Sequence, residues 1–174
     1  MVEYFYAVDE NDNVIGKASR EECHKNKIIY RSVYIFVLNQ KDEMFLQKRS
    51  ETKDLYGGYY TGSATGHVDF GEDYVEAAWR ELREELGIEA ILNYVCRFKC
   101  FSNVEREISA LYYCRYIGLI RFNESEIDKG VFMSINQIVR ELEAGEKKFA
   151  PGFTIAFHAF LKYFHKTKTE QDEF

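Results

Sequence analysis

The sequence predicts one domain of the mixed α/β class, built as a sandwich of helices and strands. Segments with the apolar patterns of strands are interleaved with segments of helical period along the chain. A length of 174 residues suits one domain, and 46% hydrophobic with 30% charged residues is typical of globular proteins. The only proline is Pro151 and there is no low-complexity stretch, so we expect a single domain over residues 1–174.

The first half of the chain has the pattern of strands separated by polar turns. The polar turn DENDN separates two short apolar segments, which predicts an N-terminal hairpin. The next segment, IIYRSVYIFVL, is β-branched and aromatic, as strands are, and the turn NQKD separates it from another strand. A loop with a glycine pair then precedes a short strand. The predicted strands cover Tyr4–Val8, 14–18, 28–38, Glu43–Arg49 and 59–64, and the hairpin belongs to an N-terminal extension over residues 1–27.

The second half of the chain alternates helices with two further strands. A helix fits residues 73–86, because Gly87 follows it where a helix C-terminal glycine belongs. The later apolar segments divide in the same way by period and composition. The predicted helices cover 73–86, 134–144 and 153–165, the predicted strands cover 89–101 and 108–119, and a frayed tail covers 170–174.

Charge and composition exclude several classes of function. The net charge of −6 argues against coating a nucleic-acid polymer, which requires a basic footprint, although a small phosphorylated ligand can bind together with a cation. The longest apolar run, residues 33–38, is far shorter than the ~20 residues that span a bilayer, so we expect no membrane insertion. The N-terminus has no secretory pattern and the four cysteines form no CxxC pair, which favours reduced thiols in the cytoplasm.

The predicted helix at 73–86 carries more negative charge on one ridge than its fold requires. Its core-facing stripe is apolar, and Glu81, Glu84 and Glu85 form a ridge beside that stripe. Like charges three or four residues apart destabilise a bare helix by about 0.2–0.5 kcal/mol per pair. A solvated acidic face is one interpretation. A divalent cation is the other, because Mg²⁺ takes oxygen ligands.

The wider segment GHVDFGEDYVEAAWRELREELGI, residues 66–88, resembles the signature of the Nudix hydrolases without a departure. The fixed positions are Gly66, Glu72, Arg80, Glu81, Leu82, Glu84, Glu85, Gly87 and Ile88. The resemblance implies a Nudix-type α/β/α sandwich with a mixed sheet. It also implies cleavage of a diphosphate linkage in a nucleoside diphosphate derivative or a related organic diphosphate.

The same resemblance assigns roles to these residues. It implies that Glu81 and Glu85 are the principal carboxylate ligands of Mg²⁺ or Mn²⁺, that Glu84 is a further ligand or holds water, and that the Gly66 carbonyl is a backbone ligand. Arg80 matches a residue that orients the segment by pairing with Glu72. These six residues are our catalytic and metal-binding candidates, and which carboxylate acts as the base stays open.

A second resemblance, to isopentenyl diphosphate isomerase, covers more of the chain. It rests on QKRS at 47–50, on YYTGSATGH at 59–67 and on ERE at 105–107. Thr65 departs from it, since it stands where the isomerase has its catalytic cysteine, and Tyr30 stands where the isomerase has a metal-binding histidine. We therefore expect an isomerase-like member that hydrolyses diphosphates. The alternatives are an isomerase and a non-catalytic nucleotide-binding module.

Five more residues are candidates with two interpretations each. Arg49 and Lys53 either contact a diphosphate, as the isomerase resemblance suggests, or form a basic strand end and loop. His67 is either a loop histidine or a contact to metal or substrate. Glu105 and Glu107 alternate with a basic residue and so point to one face of a strand. Either one of them completes the metal shell, as the isomerase resemblance suggests, or they are exposed strand carboxylates. The expected partner is a small diphosphate, and the oligomeric state stays open, a homodimer included.

Overall fold

The computed structural model describes residues 2–172 and consists of a mixed sheet with helices on both faces. Within this range the strands are β1 Tyr4–Val8, β2 Val14–Ser19, β3 Tyr30–Leu38, β4 Glu43–Arg49, β5 Tyr60–Thr61, β6 Ala64–His67, β7 Asn93–Phe101, β8 Arg106–Arg115 and β9 Ile127–Ser134. The helices are α1 Arg20–Asn26, α2 Tyr74–Leu86, α3 Ile135–Ala144 and α4 Pro151–Asp172.

The main sheet is mixed because β3 and β8 run parallel while the other paired strands are antiparallel. Its order is β5-β4-β3-β8-β7, with β6 beside β3 and β9 beside β4. Strands β1 and β2 form a separate antiparallel hairpin. The hairpin packs on the main sheet through Phe5, whose ring stacks on Tyr30 of β3 with centroids 5.3 Å apart.

Strands β3 and β4 separate soon after the turn that joins them. Their pairing is limited to Leu38 with Met44, and beyond that point β3 pairs with β6 while β4 pairs with β5 and β9. Backbone groups at the split need other partners, because buried amides and carbonyls are costly when unpaired. Ser63 supplies them: the Val37 amide donates to its Oγ over 2.7 Å, and its hydroxyl donates to the Phe45 carbonyl oxygen over 2.5 Å.

We expect Ser63→Ala to lower the free energy of unfolding by about 1–3 kcal/mol, because it leaves a buried amide and a buried carbonyl without a partner. Urea denaturation followed by circular dichroism measures the change. Ser125→Ala, an exposed site, is the control and should stay within about 0.5 kcal/mol of the natural protein. Equal midpoints for the two variants would show that the split does not depend on this hydroxyl.

Each face of the sheet has its own core. Ile35 packs against Leu82 and Leu86 of α2 on one face. On the other face Phe36 packs against Phe160 of α4, with ring centroids 5.5 Å apart and the rings near perpendicular. Both sides of β3 are therefore buried, which explains its continuous apolar sequence. These layers confirm the predicted α/β/α sandwich with a mixed sheet and an N-terminal hairpin.

Most predicted elements are present, with four corrections. The N-terminal extension contains α1, which was not predicted although Ser19 and Glu22 form its capping box. The predicted strand at 59–64 is two strands, β5 and β6, and β9 was missed. The last helix runs to Asp172, so the predicted helix end at 165 is wrong. The predicted frayed tail is helical up to Asp172, and residues 173 and 174 lie outside the described range.

No helix in residues 2–172 combines the length and apolar character needed to cross a membrane.

Candidate active site

A cavity of about 500 Å³ lies between residues of β3, β6, α1, α2 and the start of α4. Its walls come from β3, β6, the loop after β4, α2 and the start of β8. Every candidate from the sequence except Glu72 lines it. These residues are Arg49, Lys53, Gly66, His67, Arg80, Glu81, Glu84, Glu85, Glu105 and Glu107.

Glu85 reaches the cavity through the split in the sheet. Its Oε2 accepts hydrogen bonds from Gln47 Nε2 of β4 at 2.8 Å and from the Thr65 amide of β6 at 3.1 Å. The side chain is 7% exposed. Burial raises the pKa of Glu85 to about 7, although both donors oppose that rise. The carboxylate is thus fixed in position while its negative charge lacks full compensation.

Glu81 stands one helical turn before Glu85 and lies against the backbone of β6. A Cβ at Gly66 would overlap with its carboxylate, so a glycine is needed there for the carboxylate to approach the strand. Arg80 Nη1 donates to Glu81 Oε1 over 2.6 Å. Burial and the nearby Glu85 raise the pKa of Glu81 to about 8, against the effect of Arg80. The buried Glu85 and the largely buried Glu81, whose side chain is 14% exposed, are therefore neighbouring acidic groups in the cavity wall.

Arg80 joins helix α2 to the loop that precedes it. Its guanidinium donates to both carboxylate oxygens of Glu72, over 2.7 and 2.9 Å, and to the His67 carbonyl oxygen over 2.9 Å. Partial burial raises the pKa of Glu72, but the Arg80 guanidinium outweighs it and leaves that pKa lowered. Glu72 lies behind the cavity wall and acts through Arg80. Glu84 is 60% exposed at the rim, with Arg80 3.4 Å away.

Glu105 and Glu107 form a second acidic group across the cavity. The interpretation as exposed strand carboxylates is wrong for Glu107, which is 5% exposed and accepts a hydrogen bond from Ser32 Oγ at 2.9 Å. Glu105 precedes β8 and is half-buried. Burial raises the pKa of both carboxyls. The Tyr30 hydroxyl is also buried and has no hydrogen-bond partner within residues 2–172.

His67 packs as an aromatic ring between the two acidic groups. Its ring centroid is 4.7 Å from that of Phe5 and 5.4 Å from that of Tyr30. Burial, followed by nearby cations that include Arg20, lowers the pKa of His67 to about 3, so the ring is neutral near pH 7. Its Nε2 is 3.7 Å from Glu107 Oε1, beyond hydrogen-bond distance. A neutral imidazole here is free to contact a metal or a substrate.

A basic wall faces the carboxylates. Arg49 is tethered through Nε to the Leu55 carbonyl oxygen at 3.2 Å, and Lys53 pairs with Glu126. Arg20, at the start of α1, also lines the cavity. Arg49 lies near enough to Glu85 to lower its pKa. Acidic and basic groups thus meet across one cavity.

Sequence reasoning missed three residues of the site. Gln47 donates a hydrogen bond to Glu85. The only indication of this role in the sequence is that Gln47 is a polar residue that continues an apolar strand. Arg20 was missed together with α1. Tyr34 lines the cavity although its position in the strand suggests a core residue.

The donor set fits a hard divalent cation, which takes carboxylate and carbonyl oxygens. Glu85 is buried and Glu81 largely so, both have raised pKa values, and the Glu81 carboxylate lies against Gly66. Among residues 2–172, no group of three or more His, Cys, Asp or Glu side chains is already arranged to hold a metal. A cation that binds here would therefore have to draw these carboxylates closer together than they are in this structure.

Comparison with known proteins identifies the family to which this sandwich and its acidic helix belong. The family model of the NUDIX domain matches residues 29–153, and the chain belongs to the Nudix family. It is a Nudix hydrolase-type enzyme.

Named relatives carry two descriptions. The chain is 25% identical to an isopentenyl-diphosphate Delta-isomerase of Pectobacterium atrosepticum, with 94% of each chain covered. It is 32% identical to a Yersinia pestis protein described as an uncharacterized Nudix hydrolase, over 92% of this chain and 87% of the relative. Among solved structures, a Deinococcus radiodurans protein matches with a TM-score of 0.77 and 25% identity, over 91% of this chain and 99% of that one.

Proposed function

We propose that the protein is a metal-dependent hydrolase that cleaves a diphosphate linkage in a nucleoside diphosphate derivative or a related organic diphosphate. The observation that carries the proposal is the packing of the largely buried Glu81 against Gly66, next to the buried Glu85 and in a cavity that basic side chains also line. Withdrawing two carboxylates from water without a cation is unfavourable. Such an arrangement is retained for binding rather than for stability.

The residues of the site would have different roles according to their positions. Glu81, Glu85 and the Gly66 carbonyl would hold Mg²⁺ or Mn²⁺, with Glu84 at the rim as a further ligand or a holder of water. When bound, the cation supplies positive charge that offsets the charge of the diphosphate. Arg80 and Glu72 keep the loop in place relative to α2. A ridge carboxylate that accepts a proton from attacking water completes the reaction.

The basic wall would bind the phosphates. Arginine presents several donors in a planar fork that suits phosphoryl oxygens, and Nε of Arg49 is already anchored by the Leu55 carbonyl. Arg49 lines the cavity and lies near enough to Glu85 to lower its pKa. Lys53 adds charge, although its partner Glu126 competes for it.

Metal-dependent release of phosphate or nucleoside monophosphate from one member of a diphosphate panel tests the proposal. The panel contains nucleotides, nucleotide sugars, dinucleotides and prenyl diphosphates, with products identified by mass. Chelation of Mg²⁺ and Mn²⁺ should stop the release. Ligand binding without turnover under every metal condition would instead favour a nucleotide-binding module.

Isomerisation is the second candidate, because close relatives carry that name. The residue at issue is Thr65, which lines the cavity and whose amide is committed to Glu85. A threonine hydroxyl is a poor acid, whereas moving a double bond requires a proton donor and an acceptor. We expect no interconversion of isopentenyl and dimethylallyl diphosphates with Mg²⁺ or Mn²⁺, and measurable conversion would replace the hydrolase proposal.

We expect Arg49→Ala to raise KM for the hydrolysed diphosphate by about 10- to 100-fold, since it removes charge-assisted hydrogen bonds to phosphate. Steady-state kinetics with inorganic phosphate detection measures the change. Lys48→Ala is the matched control, because Lys48 pairs with Glu51 and does not line the cavity. An unchanged KM in Arg49→Ala would mean that Arg49 does not bind the diphosphate and is only a basic residue at the end of its strand.

A further inference from the structure

The loop at 68–73 joins β6 to α2 and is held from one side by the acidic helix. Arg80 of α2 donates to the His67 carbonyl oxygen and to both carboxylate oxygens of Glu72, at the two ends of this loop. The same guanidinium donates to Glu81 over 2.6 Å. A shift of the loop would therefore move Glu81, a proposed cation ligand, through Arg80.

Strand β1 of the N-terminal hairpin holds the same loop from its other side. The Phe70 amide donates to the Tyr4 carbonyl oxygen over 2.7 Å, and the Gly71 amide donates to the Tyr6 hydroxyl oxygen over 3.1 Å. The rings of Tyr6 and Phe70 pack with their centroids 4.6 Å apart. Gly71 has a φ of 109°, which residues with side chains rarely adopt, so the loop needs a glycine at this turn. Helix α2 and strand β1 thus hold the loop between them.

The turn of the hairpin is anchored at the start of α2. The Asp12 carboxylate is 7% exposed and accepts hydrogen bonds from Arg31 Nε at 2.6 Å and from Arg97 Nη1 at 2.8 Å. It also accepts one at 3.2 Å from the hydroxyl of Tyr74, the first residue of α2. Because breaking a buried ion pair is strongly unfavourable, these contacts keep the hairpin turn against the helix. The hairpin is therefore attached to the loop by β1 and to α2 by its turn.

We propose that the N-terminal hairpin positions the loop at 68–73 for cation binding, with Tyr6 and Phe70 as positioning residues. This role rests on the proposed function, because it takes Glu81 and the Gly66 carbonyl to hold the cation. A protein binds a ligand more weakly when only a fraction of its molecules has the binding conformation. Contacts that keep the loop in that conformation before the cation arrives therefore raise the apparent affinity. The hairpin precedes residues 29–153, so this role is additional to the part of the chain that the family model matches.

Tyr6→Phe tests the role, because it removes the hydroxyl that accepts from Gly71 and leaves the ring on Phe70. Binding of Mn²⁺ alone, without substrate, is measured by electron paramagnetic resonance of the free ion. We expect the dissociation constant for Mn²⁺ to rise about three- to tenfold, the effect of one hydrogen bond. Tyr94→Phe is the matched control, because Tyr94 lies on β7 and its ring packs on Tyr112. An unchanged dissociation constant in Tyr6→Phe would overturn the role.

Phe70→Ala tests the other side of the same contact. Its side chain is 45% exposed, so the substitution should not unfold the protein. We expect the dissociation constant for Mn²⁺ to rise about three- to tenfold through loss of the aromatic pair with Tyr6. Trp79→Ala is the control, because Trp79 is a similarly exposed aromatic residue of α2, at 47%. Equal weakening in Phe70→Ala and Trp79→Ala would overturn the role.

A kinetic measurement separates positioning from a loss of folded protein. If the variants only lowered the folded fraction, kcat would fall at every Mn²⁺ concentration and the concentration for half-maximal rate would not change. Positioning predicts that this concentration rises about three- to tenfold, while kcat at saturating Mn²⁺ stays within about twofold of the natural value. A fall in kcat without a change in the half-maximal concentration would overturn the role and leave hydrolysis standing.

Amide hydrogen exchange decides the role if no diphosphate is hydrolysed, in which case the hydrolase proposal fails by itself. Residues 68–73 should exchange faster in Tyr6→Phe and Phe70→Ala than in the natural protein, because exchange reports local opening. Equal exchange of this segment in all three proteins would overturn the role. Absence of Mn²⁺ binding to the natural protein would overturn it together with the proposed function.

Discussion

Glu85→Gln is expected to reduce diphosphate hydrolysis by about two to four orders of magnitude, the range that one positioned acid or base contributes. Glutamine has the shape of glutamate, and its amide oxygen can accept the same hydrogen bonds from Gln47 and from the Thr65 amide. The substitution thus removes the negative charge and keeps the position. Steady-state assays at saturating Mg²⁺ measure the loss, and titration with Mn²⁺ shows whether cation binding falls with it.

The same substitution should not lower stability. Burial already raises the pKa of Glu85 to about 7, which shows that the charged carboxylate is unfavourable in the folded protein without a cation. A neutral glutamine removes that desolvation cost, and function often comes at the expense of stability in this way. We expect a thermal midpoint equal to or above that of the natural protein in the absence of metal.

Glu89→Gln is the control for Glu85→Gln. Glu89 follows α2, is 76% exposed and pairs with Arg83 at the surface. Its substitution should leave kcat and KM within a factor of two, since surface changes away from a site have small effects. Hydrolysis that survives in Glu85→Gln at the natural rate would remove the carboxylate group of α2 from the mechanism.

The acidic helix was predictable because its determinants are local. The side-chain oxygen of Asp73 accepts hydrogen bonds from the first-turn amides of α2, and Gly87 adopts a left-handed conformation at φ 64° to end it. The spacing of the glutamates then places them on one ridge. Such features depend on residues a few positions apart, so the sequence pattern contains them.

The remainder of the site depends on tertiary pairing, which spacing does not report. Glu85 is fixed by Gln47 and Thr65, residues 38 and 20 positions away, across a split that exists only because β9 and β5 pair with β4. Strand β9 was missed, and so was the split. The burial of Glu107 depends likewise on Ser32, 75 positions away. The sequence alone predicts that such a strand carboxylate is exposed, because it does not show which residues pack against it.

Gly66→Ala is expected to lower hydrolysis by about 10²-fold, because misplacing a reacting group by about 1 Å has an effect of this size. The substitution removes no functional side chain but displaces the carboxylate of Glu81. A methyl group at residue 66 would occupy the space of the Glu81 carboxylate. Since that carboxylate is the end of a flexible side chain, it can move away without unfolding α2. Gly16→Ala is the control, because a Cβ there meets nothing within 4 Å.

A double-mutant cycle shows whether Gly66 acts through Glu81. Glu81→Ala should reduce activity strongly in the natural background and only slightly in Gly66→Ala, because the carboxylate has already been displaced there. Residues that act as one unit give such non-additive free energies, whereas independent sites add to within about 0.3–0.5 kcal/mol. Additive losses would mean that the added methyl group acts independently of the Glu81 carboxylate. Circular dichroism of both single variants should match that of the natural protein, since neither substitution removes a contact of the α2 core.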